Sequence, residues 1–199
     1  MDQSELKTGD LILFDNGGCN VFSSLIKYFT NSEITHIGMI LKDPSFIEPL
    51  TGIYVWESNW EGEPDPQDNK IKFGVQITPL EEICDKYRQK NSAIYIRQVN
   101  CSSELLSNDN LKKVHSIVYD KEYDFYPTDL INALHRKDSK PQKTDRFWCS
   151  ALVGCIYTEC KLLDNTTDWS ILRPSDFTPE YETNLQFIND VTLGKLLKI

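Results

Sequence analysis

The chain has 199 residues, and its 40% hydrophobic content supplies enough apolar side chains for the core of one domain, 1–199. Asp and Glu number 30 against 21 Lys and Arg, which gives a formal net charge of −9 at pH 7. Because binding to a phosphate backbone needs clustered positive charge, this balance argues against a nucleic-acid partner.

The cysteines indicate reduced thiols and not a disulfide scaffold. There are six of them, and no two have the CxxC spacing of a zinc or redox site. The N-terminus lacks a basic-then-apolar signal region, and no run of about 18 apolar residues could span a membrane. We therefore expect an intracellular, cytoplasmic protein, in which each cysteine is by default a small buried hydrophobe.

The first hundred residues are predicted to form mainly short strands. Apolar residues at helical spacing predict a short helix over 21–29, and Thr78, as a cap before Pro79, starts a second helix. The stretch 60–70 is rich in Pro, Asp, Glu and Asn, so we expect a surface loop there. Short apolar runs predict strands at 10–14, 34–41, 53–58, 73–77 and 93–99.

The second half is predicted to be more helical. Helices are expected at 111–119 and 128–134, followed by a polar loop over 137–146. From 147 to 163, recurring apolar residues predict a longer helix with one apolar stripe, and a polar tail closes the chain. Strands first and helices later favour an α+β domain with an antiparallel sheet.

Cys149 lies at the start of that longer helix and is the candidate nucleophile. Unpaired backbone N–H groups and the positive end of the helix dipole favour a thiolate there. The same N–H groups could stabilise the oxyanion that forms when the sulfur attacks a carbonyl. Trp148 and Ser150 leave room for a partly exposed sulfur. Position alone, on the apolar stripe, favours a buried structural cysteine.

His36 is the candidate base among three histidines. Strand alternation puts it on one face with Gly38 and Ile40, where the missing side chain of Gly38 leaves space for a substrate or a helix end. A buried imidazole needs partners for its ring nitrogens, and a hydrogen-bonded core histidine is the structural alternative. His115 and His135 lie among basic residues and are expected at the solvated surface.

Glu57 is the candidate third residue, because a catalytic base is usually oriented by an acceptor. It interrupts the apolar run of the strand that follows the strand of His36. If the two strands are antiparallel neighbours, Glu57 could face His36 across the ladder. Spacing alone favours a solvated glutamate on an edge strand. Together with Cys149, the two residues form a set in the chain order His, Glu, Cys.

Seven short stretches carry a resemblance to a known family, and they run in family order over nearly the whole chain. They are 6–14, 34–40, 55–58, 75–82, 123–125, 147–153 and 174–177. In these stretches the chain resembles the circularly permuted branch of the NlpC/P60 papain-like superfamily. This branch includes YiiX-like and poxvirus-type members and, more distantly, the lecithin retinol acyltransferases.

The resemblance implies a papain-like α+β fold in which the histidine strand precedes the cysteine helix. A central antiparallel sheet would have the nucleophile helix packed against it. Position by position, the resemblance implies Cys149 as nucleophile, His36 as general base and Glu57 as orienting residue. Tyr123 matches a tyrosine that can contribute to the oxyanion site.

The implied activity is two-step acyl transfer through an acyl-thioester, by a cysteine hydrolase that cleaves an amide bond as a peptidase or amidase. A lipid ester or amide hydrolase or acyltransferase of the same fold stays open. So do a papain-like module that binds a peptide or acyl ligand without turnover and a structural protein of a larger assembly. No metal or organic cofactor is implied, and the expected partner is a peptide or an acyl amide or ester. Lipid or membrane contact and oligomeric state stay open.

Overall fold

Among the residues that the structure describes, eight strands pair into one sheet. The computed structural model describes residues 3–15, 33–47, 50–124 and 144–199. The strands are β1 (Leu11–Asp15), β2 (Ile34–Lys42), β3 (Ile53–Pro64), β4 (Ile71–Pro79), β5 (Ile94–Asn100), β6 (Glu122–Tyr123), β7 (Arg146–Phe147) and β8 (Thr192–Lys198). Their order is β7-β6-β4-β3-β2-β1-β5-β8, and every neighbouring pair is antiparallel except β6 and β7. The helices expected at 21–29 and 128–134 lie outside the described residues, as does His135.

Three α-helices of the described ranges cover the two faces of the sheet: α1 (Leu80–Gln89), α2 (Asn108–Val118) and α3 (Cys149–Glu159). Alternating side chains of β1 illustrate the division, since Leu11 packs with α2 and α3 whereas Ile12 packs with α1. The expected α+β class is therefore confirmed. Within the described ranges, every helix is too short or too polar to cross a lipid bilayer.

Helix α3 is the centre of the larger core, and the predicted single apolar stripe is wrong. All of its residues from Cys149 to Thr158 are buried, so the helix is enclosed on every side. Gly154 permits this close packing, because a Cβ there would lie 2.7 Å from Leu172 Cδ1 and 2.9 Å from Trp169 Cβ. The helix also ends at Glu159, short of the predicted 163.

The predicted surface loop over 60–70 is wrong in its first half, because β3 continues to Pro64 and only 65–70 connects it to β4. The polar residues of this stretch form hydrogen bonds with other groups of the protein. The buried carboxylate of Asp65 accepts hydrogen bonds from Lys72 Nζ at 2.8 Å and from the Ile77 backbone N–H at 3.2 Å. Part of the polar composition of this stretch therefore belongs to a buried ion pair between Asp65 and Lys72.

Two further expectations need correction. His115 is half-buried, because its Nε2 lies 2.7 Å from Gln67 Oε1 and its ring contacts Phe46, Trp56 and Tyr119. The polar tail contains strand β8, which pairs with β5 at the edge of the sheet. An edge strand exposes many side chains, so it lacks the apolar run that marks the central strands.

Candidate active site

Cys149 is the first residue of α3, and hydrogen bonds from two serines fix the chain around it. Ser58 Oγ on β3 donates to the Phe147 carbonyl at 2.6 Å, and Ser150 Oγ donates to the Leu172 carbonyl at 2.7 Å. Only 3% of Cys149 is exposed, so the expectation of a partly exposed sulfur is wrong. The backbone N–H groups that begin the helix lie beside this buried sulfur.

His36 and Glu57 meet where β2 and β3 separate. The ladder between these strands ends at Met39 and Trp56, and both candidate residues lie beyond that pair. His36 Nε2 and Glu57 Oε2 are 2.6 Å apart, and both side chains are buried. Cys149 is close enough to the His36 ring to be among the groups that raise its pKa.

The charge state of His36 follows from these two contacts. Burial alone would lower its pKa, but the hydrogen bonds to Cys149 and Glu57 and the negative charges of both raise the pKa to about 10. At neutral pH the imidazolium form is therefore favoured.

Glu57 is held on both carboxylate oxygens. Thr78 Oγ1 donates to Oε1 at 2.6 Å, and Asn59 Nδ2 approaches Oε2 at 3.4 Å. Thr78 was expected to cap helix α1, but Pro79 takes the cap position and the hydroxyl serves Glu57 instead. The roles of Thr78 and Asn59 were missed, because they depend on the pairing of β3 with β4.

Gly38 makes room for the neighbouring strand and not for a ligand. A Cβ at this position would lie 2.4 Å from Val55 Cγ1 and 3.4 Å from Glu57 Cβ. The expected space for a substrate or a helix end is therefore filled by β3. The missing side chain instead lets Glu57 lie beside the strand that carries His36.

Aromatic rings cover His36 on the α1 side of the sheet. The Phe14 ring is stacked 5.6 Å from the His36 ring, and Tyr87 of α1 lies 6.0 Å away and almost parallel to it. This cover keeps water from the His36–Glu57 pair and strengthens its electrostatic interaction.

Tyr123 lies on β6, which pairs with β7, the strand that comes just before Cys149. It is paired in register with Phe147, two residues before Cys149. Burial, followed by the nearby negative charges of Cys149 and Asp124, raises the pKa of Tyr123 well above its usual range. The hydroxyl is therefore neutral and near the sulfur, where it can donate a hydrogen bond.

An aromatic row, which we define as Trp60, Phe73 and Tyr123, crosses β3, β4 and β6. Trp60 and Phe73 pair in register with ring centroids 5.9 Å apart, and Phe73 stacks on Tyr123 at 5.2 Å. Trp60 is 58% exposed and Phe73 is 38% exposed. The row therefore presents an apolar surface that leads towards Cys149.

The candidate residues His36, Glu57, Cys149 and Tyr123 are thus brought together by the fold. Within the part of the chain that the structure describes, no group of three or more His, Cys, Asp or Glu side chains is arranged to hold a metal ion.

Comparison with known proteins gives distant similarities. No model of a known protein family matches the chain. An uncharacterised protein of Acanthamoeba polyphaga mimivirus is 26% identical over 220 residues, which cover 98% of this chain and 82% of that protein. The mouse sterile alpha motif domain-containing protein 9-like is 22% identical over 207 residues, and the match covers 89% of this chain. This chain spans only 12% of the mouse protein.

Among solved structures, the metalloprotein yiiX of Escherichia coli is similar at a TM-score of 0.41 and 17% identity. The similarity covers 97% of this chain and 96% of the yiiX chain. The relationship to the permuted NlpC/P60 superfamily stays a prediction.

Proposed function

We propose that this chain is a cysteine hydrolase in which Cys149 is the nucleophile, His36 the general base and Glu57 the residue that orients His36. One observation carries the proposal. A buried histidine lies 2.6 Å from a buried glutamate, and a cysteine at a helix start is close enough to contribute to the raised pKa of that histidine. A histidine with a purely structural role needs neither a nucleophilic partner nor a carboxylate that holds its charged form.

The proposed reaction is a two-step acyl transfer. The Cys149 thiolate attacks the carbonyl carbon, and the π electrons move to the oxygen. Collapse of this intermediate breaks the bond to the leaving amine, which takes a proton from His36, and leaves an acyl-thioester. His36 then takes a proton from water, which attacks the thioester and releases the acid. The N–H groups at the start of α3 and the Tyr123 hydroxyl would donate to the oxyanion.

The permuted papain-like arrangement is part of this proposal. The histidine strand β2 precedes the helix α3 that bears the cysteine, and α3 packs against the sheet with Cys149 in the same core as Met39 and Trp56. This order is what the resemblance to the permuted NlpC/P60 branch implies.

An amide substrate with an apolar group beside the scissile bond fits the site best. The aromatic row offers stacking surface next to Cys149. The net charge of −9 disfavours approach to anionic membranes, which places peptide or acyl amides ahead of phospholipids.

Two other functions each have one observation in their favour. The exposed rings of Trp60 and Phe73 would also suit a lipid ester or amide hydrolase or an acyltransferase. The nearly complete burial of Cys149 would suit a papain-like module that binds a ligand without turnover.

The deciding experiment measures the rate of Cys149 alkylation against pH, located by peptide mapping. Wild type should react well below pH 7, since an unperturbed thiol titrates near 8.5. His36→Ala should abolish this reactivity. His115→Ala, which removes another half-buried histidine outside the site, should leave it unchanged. Cys149 that is inert, or that reacts like free cysteine whatever residue stands at 36, would overturn the proposal.

A further inference from the structure

A second carboxylate, that of Glu61, is linked to Glu57 through the side-chain amide of Asn59. The Glu61 side chain, on the same strand β3, is only 6% exposed. Asn59 Nδ2 donates to Glu61 Oε1 at 2.6 Å and approaches Glu57 Oε2 at 3.4 Å. Because this nitrogen carries two hydrogens, one side chain can bind both carboxylates at once. A change at Glu61 therefore reaches Glu57 through Asn59.

A single lysine of α1 faces the other side of Glu61. Lys86 Nζ lies 3.4 Å from Glu61 Oε2 and donates to the Glu61 backbone carbonyl at 3.0 Å. The same ammonium group also binds Glu82, one helical turn earlier, at 3.0 Å. Lys86 is thus shared between two acids and only partly neutralises Glu61.

Three charged groups act directly on Glu61: Glu57 on its own strand, His36 on β2 and Lys86 on α1, which also pairs with Glu82. Burial and the negative charge of Glu57 raise the pKa of Glu61 to about 7, against the opposing effects of His36 and Lys86.

We infer that Glu61 is a positioning residue, whose ionisation sets how Asn59 and Glu57 hold His36 against Cys149. The inference rests on the proposed function. Ionised Glu61 binds the Asn59 amide firmly and adds negative charge near His36. Both effects favour the imidazolium form of His36. Protonation of Glu61 removes this negative charge and weakens the hydrogen bond that Glu61 accepts from Asn59.

The predicted signature is a step in the alkylation rate of Cys149 near pH 7, separate from the titration of the sulfur itself. Transmission through one hydrogen bond suggests a step of about threefold in the rate. Glu61→Gln keeps the shape of the side chain but cannot ionise, so the step should vanish. Lys86→Met removes the neighbouring cation, so the step should move to higher pH by about half a unit or more.

Glu63→Gln is the matched control, because it removes the same charge from an exposed position on the same strand. It should leave the step where wild type has it. The inference is overturned if Glu61→Gln retains the wild-type profile while His36→Ala still abolishes reactivity below pH 7, a result that leaves the proposed function intact. Free-cysteine behaviour in every variant, wild type included, would overturn both.

Discussion

Removing the Thr78 hydroxyl should lower both the stability of the protein and the reactivity of Cys149. Thr78→Val keeps the shape of the side chain but deprives the buried Glu57 carboxylate of its 2.6 Å hydrogen bond. A hydrogen bond to a buried charged group contributes about 2 kcal/mol, so the free energy of unfolding should fall by that amount. With a typical urea dependence for a small protein, the midpoint should fall by about 1 M.

Chemical denaturation in urea measures this loss, and alkylation of Cys149 at pH 6 measures the effect on the site. Thr78→Ser should retain most of both, because it keeps the hydroxyl. Thr158→Val on α3 is the matched control, since among the described residues no group is placed to bond its buried hydroxyl. Its stability should be unchanged or higher. The reasoning would be refuted if Thr78→Val were as stable as wild type, or if Thr158→Val lost as much.

Three further outcomes are expected. The pKa of His36 is raised in the folded state, so the stability that this group contributes is complete below about pH 6.5 and is lost as the pH rises towards 10. Denaturation at pH 6.5 and 9.5 should therefore show a larger fall for wild type than for His36→Ala. Trp60→Ala should raise KM about tenfold for substrates with a bulky apolar group and leave Cys149 alkylation by a small reagent unchanged. Tyr181→Ala, at another exposed aromatic position, should change neither. Gly38→Ala should destabilise the fold by about 2 kcal/mol, since its Cβ would overlap β3; a variant as stable as wild type would contradict the close packing described.

The central strands and the start of the cysteine helix could be predicted from the sequence because their signals are local. Short apolar runs mark β1 and β2, and Glu57 stands out as a carboxylate within such a run. The contact of Glu57 with His36 could be stated only as a condition on strand pairing. The structure supplies that pairing, and with it the distance of 2.6 Å.

Other features depend on contacts between distant parts of the chain. Thr78 before Pro79 matches a helix start, and only the register of β3 with β4 shows that its hydroxyl reaches Glu57. The burial of α3 on all sides follows from what packs around it, which its own periodicity does not contain. Asn59 and Glu61 flank Trp60 on β3 like ordinary surface positions, and only the packing of α1 shows that Lys86 reaches Glu61.

The hydrogen bond from Ser58 to the Phe147 carbonyl joins segments 89 positions apart in the chain. During synthesis, the strands that carry His36 and Glu57 leave the ribosome long before α3 does. A partly made chain therefore carries the acid and base of the site without the sulfur that they serve. Any nucleophilic chemistry at this site begins only when α3 has been made and has packed against the sheet.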